Sequence, residues 1–102
     1  MISVKKDYFI LFQIYTELRF KGDYMNIKKL KRILKRKGIA EYHYRICEKG
    51  IDDDKINLDY EDGKWIVYYS ERGDMLNYKE FESESEACEE ALAQIIYIYT
   101  IK

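Results

Sequence analysis

Proline is absent from all 102 residues, and the chain carries only two cysteines, one histidine and five glycines. Each shortage narrows what the protein can be. Without proline the clearest loop punctuation is missing, so turns must be read from glycine, asparagine and aspartate. Cys47 and Cys88 lie far apart and outside any CxxC spacing, which reads as two reduced, buried small side chains rather than a disulfide framework. The lone imidazole, His43, leaves a zinc site short of ligands and nucleophilic catalysis short of a base. The glycines are scattered at turns, with neither a GxxxxGKS/T nor a GxGxxG pattern, so no phosphate-cradling loop is expected. Long apolar runs are lacking too. The stretch 8–15 is far too short to span a bilayer, and no small-residue cleavage site follows it. The expectation is a cytoplasmic protein without cofactor or metal.

What is present belongs to a foldable domain. Hydrophobic residues make up 47% and charged residues 36%, and 102 residues suffice for a single core. Eleven tyrosines dominate the aromatic set, each joining a large apolar body to a polar tip that suits a core edge or a recognition surface. The net charge of −1 hides a division. Residues 1–50 hold 13 Lys/Arg against 5 Asp/Glu, a balance of +8, and residues 51–102 hold 5 against 14, a balance of −9. Such a division speaks to partners and orientation, not to fold.

Along the chain, Asp7 can cap a first helix over residues 7–20, where Tyr8, Leu11, Tyr15 and Leu18 recur at helical spacing. Lys21-Gly22-Asp23 can also be encoded by a purine-rich stretch resembling a ribosome-binding site just before Met25. Translation from Met25, with residues 1–24 an extension, therefore stands open beside a genuine first helix. The second helix is clearer. Asn26 is a good N-cap, Ile27, Leu30, Ile33 and Leu34 form its stripe, and Gly38 sits where a C-terminal glycine belongs. Lys28, Lys29, Lys31, Arg32, Lys35, Arg36 and Lys37 occupy its other faces.

The period then changes to two. Tyr42, Tyr44 and Ile46 alternate with His43, Arg45 and Cys47, predicting a strand, and 49–54 is a loop. Ile56, Leu58 and Tyr60 begin a second strand. Asp62-Gly63 marks a type I′ turn, since both of its central residues need positive φ. In the third strand Trp65, Val67 and Tyr69 share one face, with Ile66 and Tyr68 on the other. A turn over 71–74 leads to a fourth strand at 76–81. Ser83 and Glu86 form a capping box before a final helix with Ala87, Ala91, Leu92, Ile95, Ile96 and Tyr99 inward. The expected fold is α+β in one domain: two N-terminal helices, an antiparallel meander of three to four strands, and a C-terminal helix on one face of the sheet.

No catalytic set emerges from these residues. Asp52-Asp53-Asp54 lacks the alternating ligands and terminal glutamate of a calcium loop, and nothing singles out a working carboxylate pair among 19 acids. A binding role without enzymatic activity is the expectation. One partner could be nucleic acid, met by the basic helix over 28–37. The other is a basic protein, met by the acidic half. Asp52, Asp53, Asp54, Glu61, Asp62, Glu71 and Asp74 are the candidate acids, with Tyr68 as an aromatic anchor and Arg72 as a charge not demanded by the sheet. The predicted edge strand at 42–47 could also pair with a second chain, so the oligomeric state stays open.

The string Asp62-Gly63-Lys64-Trp65-Ile66-Val67-Tyr68-Tyr69-Ser70-Glu71-Arg72-Gly73 is followed by Phe81-Glu82-Ser83-Glu84-Ser85-Glu86-Ala87-Cys88. Together these resemble a family of small immunity proteins from bacterial polymorphic toxin and contact-dependent inhibition systems. The resemblance runs from Met25 to the C-terminus and leaves out residues 1–24. It implies a cytoplasmic inhibitor that binds the toxic domain of a cognate effector, often a nuclease.

Overall fold

The structure, a computed structural model, describes residues 25–101. The helix expected over 7–20 and the choice between Met1 and Met25 as start both turn on residues outside the described ones. The described elements run in the order helix α1 (Ile27–Arg36), a 3₁₀ turn (Glu41–His43), strands β1 (Tyr44–Ile46), β2 (Lys55–Glu61), β3 (Lys64–Glu71) and β4 (Asp74–Phe81), and helix α2 (Glu84–Ile101).

Helix α1 begins and ends as its sequence dictates. The Asn26 side chain accepts from the Lys29 amide at 2.8 Å. At the far end Gly38, at φ +74°, lets the Ile39 amide reach the Leu34 carbonyl and the Gly38 amide reach that of Lys35, which is a Schellman closure. Ile39 is thereby turned into the core, where it is 5% exposed. The first turn of α1 holds no acid, and another element supplies one. The Glu84 carboxylate, at the start of α2, accepts from the Ile27 amide at 2.9 Å.

The sheet has the order β1-β2-β3-β4, but it is mixed and not an antiparallel meander. β2, β3 and β4 are antiparallel neighbours, whereas β1 lies parallel to β2, with Tyr44 opposite Ile56 and Ile46 opposite Leu58. An alternating apolar pattern is identical in either direction, so periodicity alone cannot choose between them. The first strand is also shorter than expected, because Glu41–His43 is wound as a 3₁₀ turn. That shortness makes the parallel pairing feasible. Residues 47–54 need only run back along three paired residues, roughly 10 Å, which eight residues span easily.

Both hairpins close on two-residue turns with positive φ, Asp62-Gly63 (51° and 81°) and Arg72-Gly73 (53° and 87°). β4 carries a bulge opposite Tyr68, with Asn77 at φ +55° and its carbonyl accepting from Gln94 of α2 at 3.4 Å. Every residue from Asp74 to Glu80 is exposed. The bulge and Lys79 blunt this long edge against further strand pairing.

One face of the sheet carries the helices. Leu30 and Leu34 of α1, Ile46, Ile56, Leu58 and Val67 of the strands, and Ala87, Cys88, Ala91, Leu92 and Ile95 of α2 form a single buried cluster. The small side chains at 87, 88 and 91, each 0% exposed, allow α2 to approach the strands closely. Residues Ala87 to Ile95 are all buried, including Glu89, Glu90 and Gln94. Glu90 bonds Gln94 Nε2 at 2.8 Å and pairs with Lys79 at 3.2 Å, which offsets part of its desolvation. Tyr99, expected to face inward, is 46% exposed.

Candidate partner-binding surface

Among the described residues the opposite face of the sheet carries no helix, and one side chain organises it. Arg45 projects from β1 away from the core and joins four groups. Its Nε donates to Asn57 Oδ1 at 2.8 Å, its guanidinium pairs with both carboxylate oxygens of Asp59, and it also donates to the Glu48 carbonyl and to Tyr68 Oη at 3.5 Å. Side-chain exposures of 12% for Arg45 and 16% for Asp59 make this a largely desolvated pair. The Arg45 pKa is held above its usual value because the Asp59 carboxylate and the Tyr68 oxygen together outweigh the larger single effect of burial, which acts to lower it.

The returning loop is fastened over this network. Cys47, at φ +49°, ends β1 while its amide still donates to the Leu58 carbonyl at 2.7 Å. Asn57, fully buried, donates through Nδ2 to the Asp52 and Lys55 carbonyls at 3.0 Å each, and Tyr68 Oη donates to Asp52 Oδ2 at 3.3 Å. The Asp54 amide reaches the Ser70 carbonyl at 2.6 Å. A loop laid over a sheet must find partners for its backbone, and Asn57 and Arg45 supply them.

The acids singled out from sequence fall at two ends of β3, separated by about 23 Å of strand. At the end of the Arg72-Gly73 turn stand Asp53, Asp54, Glu71 and Asp74, all exposed. Their shared field shows at Tyr69, whose phenol pKa is raised first by burial and then by Asp54, Glu71 and Asp53. Glu61 and Asp62 lie at the other end, exposed beside Lys64, which reaches Glu80 at 3.6 Å. Between them Tyr68 is 4% exposed beneath the loop, and Asp52 is half-buried against it. Arg72 is held by its backbone. Its amide donates to Asp53 Oδ1 at 2.8 Å, which steadies a non-glycine residue in a left-handed turn position.

Where β1 stops short of β2, an open depression of about 740 Å³ is rimmed by Glu48, Asp52, Asp59 and Glu61, with Arg45 and Lys49 opposing them. Sequence reasoning missed Arg45 and Asp59, because a strand charge gives no sign that it points under a loop. It also missed three exposed apolar side chains: Ile51 (77%), Met75 (55%) and Tyr78 (43%). Met75 and Tyr78 belong to the helix-free face; the Tyr78 ring lies 6.3 Å from that of Tyr68, and Tyr78 Oη donates to Glu80 at 2.9 Å. Cys47 is exposed and Cys88 buried, so the expectation of two buried thiols holds only for the second.

Among the described residues no group of three or more His, Cys, Asp and Glu is placed to hold a metal ion, and no helix is long and apolar enough to cross a membrane. Comparison with protein-family models, curated proteins and solved structures gives no match.

Proposed function

We propose that this chain is an immunity protein, a stoichiometric inhibitor that binds the toxic domain of a cognate bacterial effector and carries out no turnover of its own. The resemblance in residues 62–73 and 81–88 supports the class. The observation that carries the reading is a set of exposed apolar and acidic residues along β4 and the turn before it. Met75 and Tyr78 are uncovered on the face away from the described helices, Glu80 shares that face and accepts from Tyr78, and the exposed Glu71 and Asp74 flank the Arg72-Gly73 turn. Apolar anchors within a rim of one charge sign give both contact area and steering toward a partner of opposite charge. A toxin that cleaves nucleic acid presents a basic surface, and this side complements it.

The test is titration calorimetry, over a salt series, with the C-terminal domain of any large effector whose gene adjoins this one. The expected affinity is nanomolar or tighter and weakens with salt. Two double charge reversals map the contact, Glu71→Lys with Asp74→Lys at one end and Glu61→Lys with Glu80→Lys at the other. At least one pair is expected to slow association about tenfold or more at low salt. If both pairs left affinity and its salt dependence unchanged, the acidic-face mechanism would be wrong. Helix α1 has no part in this reading.

A further inference from the structure

The outer face of α1 has a different character. With Leu30 and Leu34 fully buried, a period of 3.6 residues places Lys28, Lys31, Arg32, Lys35 and Arg36 on one contiguous arc of about 140°, with Arg32 opposite the core. All five are exposed. Lys31 meets Glu48 at 3.8 Å, a solvent-screened pair. Among the described residues no acid forms an ion pair with Lys28, Arg32, Lys35 or Arg36. Like charges packed along one helix face oppose the helix, so this arrangement disfavours folding by a few tenths of a kcal/mol per pair.

Directly beyond the Schellman closure the chain presents aromatic rings. Tyr42 is 69% exposed and lies against His43 at 4.3 Å, and His43 meets the half-exposed Tyr99 edge-on at 5.9 Å. Lys31 and Lys35 line one depression with Glu48 and with Ala40, Glu41 and Tyr44, which bracket Tyr42 and His43 in the chain.

We infer that α1 and the Tyr42–His43–Tyr99 cluster form a second interaction surface, which binds single-stranded nucleic acid. The cations of α1 follow the phosphate backbone, and the open rings of Tyr42 and Tyr99 stack on bases. Two arguments select this partner over an acidic protein. The cationic arc displays no apolar side chain, whereas protein interfaces need a desolvated anchor and are depleted in lysine. Basic residues beside exposed aromatic rings are instead the combination that holds a single strand. A duplex would engage the charge but keep its base faces stacked away from the rings. The cationic arc lies on α1, which carries no acid of the toxin reading, although Asp54 lines a small depression with His43 and Tyr99; this inference does not rest on the toxin reading.

The experiment is fluorescence anisotropy of the full chain with a labelled oligouridylate and oligothymidylate of roughly 15 nucleotides. A duplex of the same length and a poly-glutamate peptide serve as competitors, each over a salt series. Binding of the single strand is expected to exceed that of duplex and peptide. Reversal of Lys28, Arg32 and Lys35 to glutamate should abolish it at moderate salt, and their change to glutamine should lower the slope of log K against log salt by about 2, at ~0.7 per phosphate contact. Tyr42→Ala with Tyr99→Ala should weaken the single strand about tenfold or more and leave the duplex unaffected. Thermal melts by circular dichroism confirm that each variant is folded. Absence of binding at low salt, binding indifferent to the α1 charges, equal affinity for duplex, or tighter capture of poly-glutamate would each overturn the inference.

Discussion

Replacing Arg45 by methionine tests whether the short parallel crossover depends on one side chain. The substitution keeps the aliphatic stem and removes the guanidinium. It leaves the Asp59 carboxylate without its partner, and Asn57 Oδ1 and the Glu48 carbonyl without a donor. Breaking a buried ion pair from one side costs about 3–5 kcal/mol. The 12% and 16% residual exposure admits some water, so about 3 kcal/mol is the expected loss. For a domain of this size that corresponds to a fall in Tm of roughly 12–24 °C. Urea denaturation followed by Trp65 fluorescence gives the free energy, and hydrogen exchange at the Asp54 amide reports the loop separately. Adding Asp59→Leu to Arg45→Met should recover most of the loss, because an apolar pair leaves no stranded charge. A loss below about 0.5 kcal/mol, the size of an exposed pair, would refute the argument and leave the loop fastened by Asn57 alone.

Two further outcomes follow from side chains that join distant parts of the chain. Glu84→Ala removes the acceptor for the Ile27 amide, so it should cost about 1 kcal/mol and raise hydrogen exchange in the first turn of α1 while leaving β2 and β3 protected. Cys88 is fully buried, and its thiol pKa is pushed up to about 12 chiefly by that burial, with Glu84 adding to it. Because the folded value lies above the unfolded one, its stabilisation is complete below pH 9 and is lost as pH rises from 9 toward 12, about 1.4 kcal/mol per unit. Cys88→Ala should flatten that alkaline limb of the stability curve in urea melts, and an unchanged limb would assign it to the tyrosines.

The elements legible in the sequence are those whose signals are local. Asn26 and Gly38 bound α1, Asp62-Gly63 closes a hairpin, and Ser83 Oγ accepts from the Glu86 amide at 3.1 Å, each where its side chain or φ preference alone predicts it. The direction of β1 was not legible, because it depends on Arg45, Asn57 and Tyr68 meeting beneath a loop. Arg45 lies 12 positions from Asn57 and 23 from Tyr68 in the chain. Long-range polar bonds leave no periodic trace. The same limit applies to the surface: the acids were found by their sign, but Tyr68 is buried and Arg72 is held by its backbone amide. Ile51, Met75 and Tyr78 are ordinary strand or loop residues until the fold leaves them uncovered.

Between described residues the division of charge along the chain contributes a single ion pair to the fold. That pair, Arg45–Asp59, joins the basic half to the acidic half; Lys31–Glu48, Lys64–Glu80 and Lys79–Glu90 each lie within one half. Glu84 adds a single hydrogen bond across the boundary, to a backbone amide. Had the two halves evolved only to neutralise each other, α1 would lie against the acids of β3 and β4. Instead its outer arc faces solvent beside β1, at the opposite edge of the sheet from β4. Charge kept apart in this way sets like charges side by side along the outer arc of α1 and around the Arg72-Gly73 turn, and association with oppositely charged partners relieves that repulsion. Ionic strength therefore separates the two roles: salt should weaken binding at each surface while stabilising the free protein slightly, the reverse of what internal salt bridging between the halves would produce.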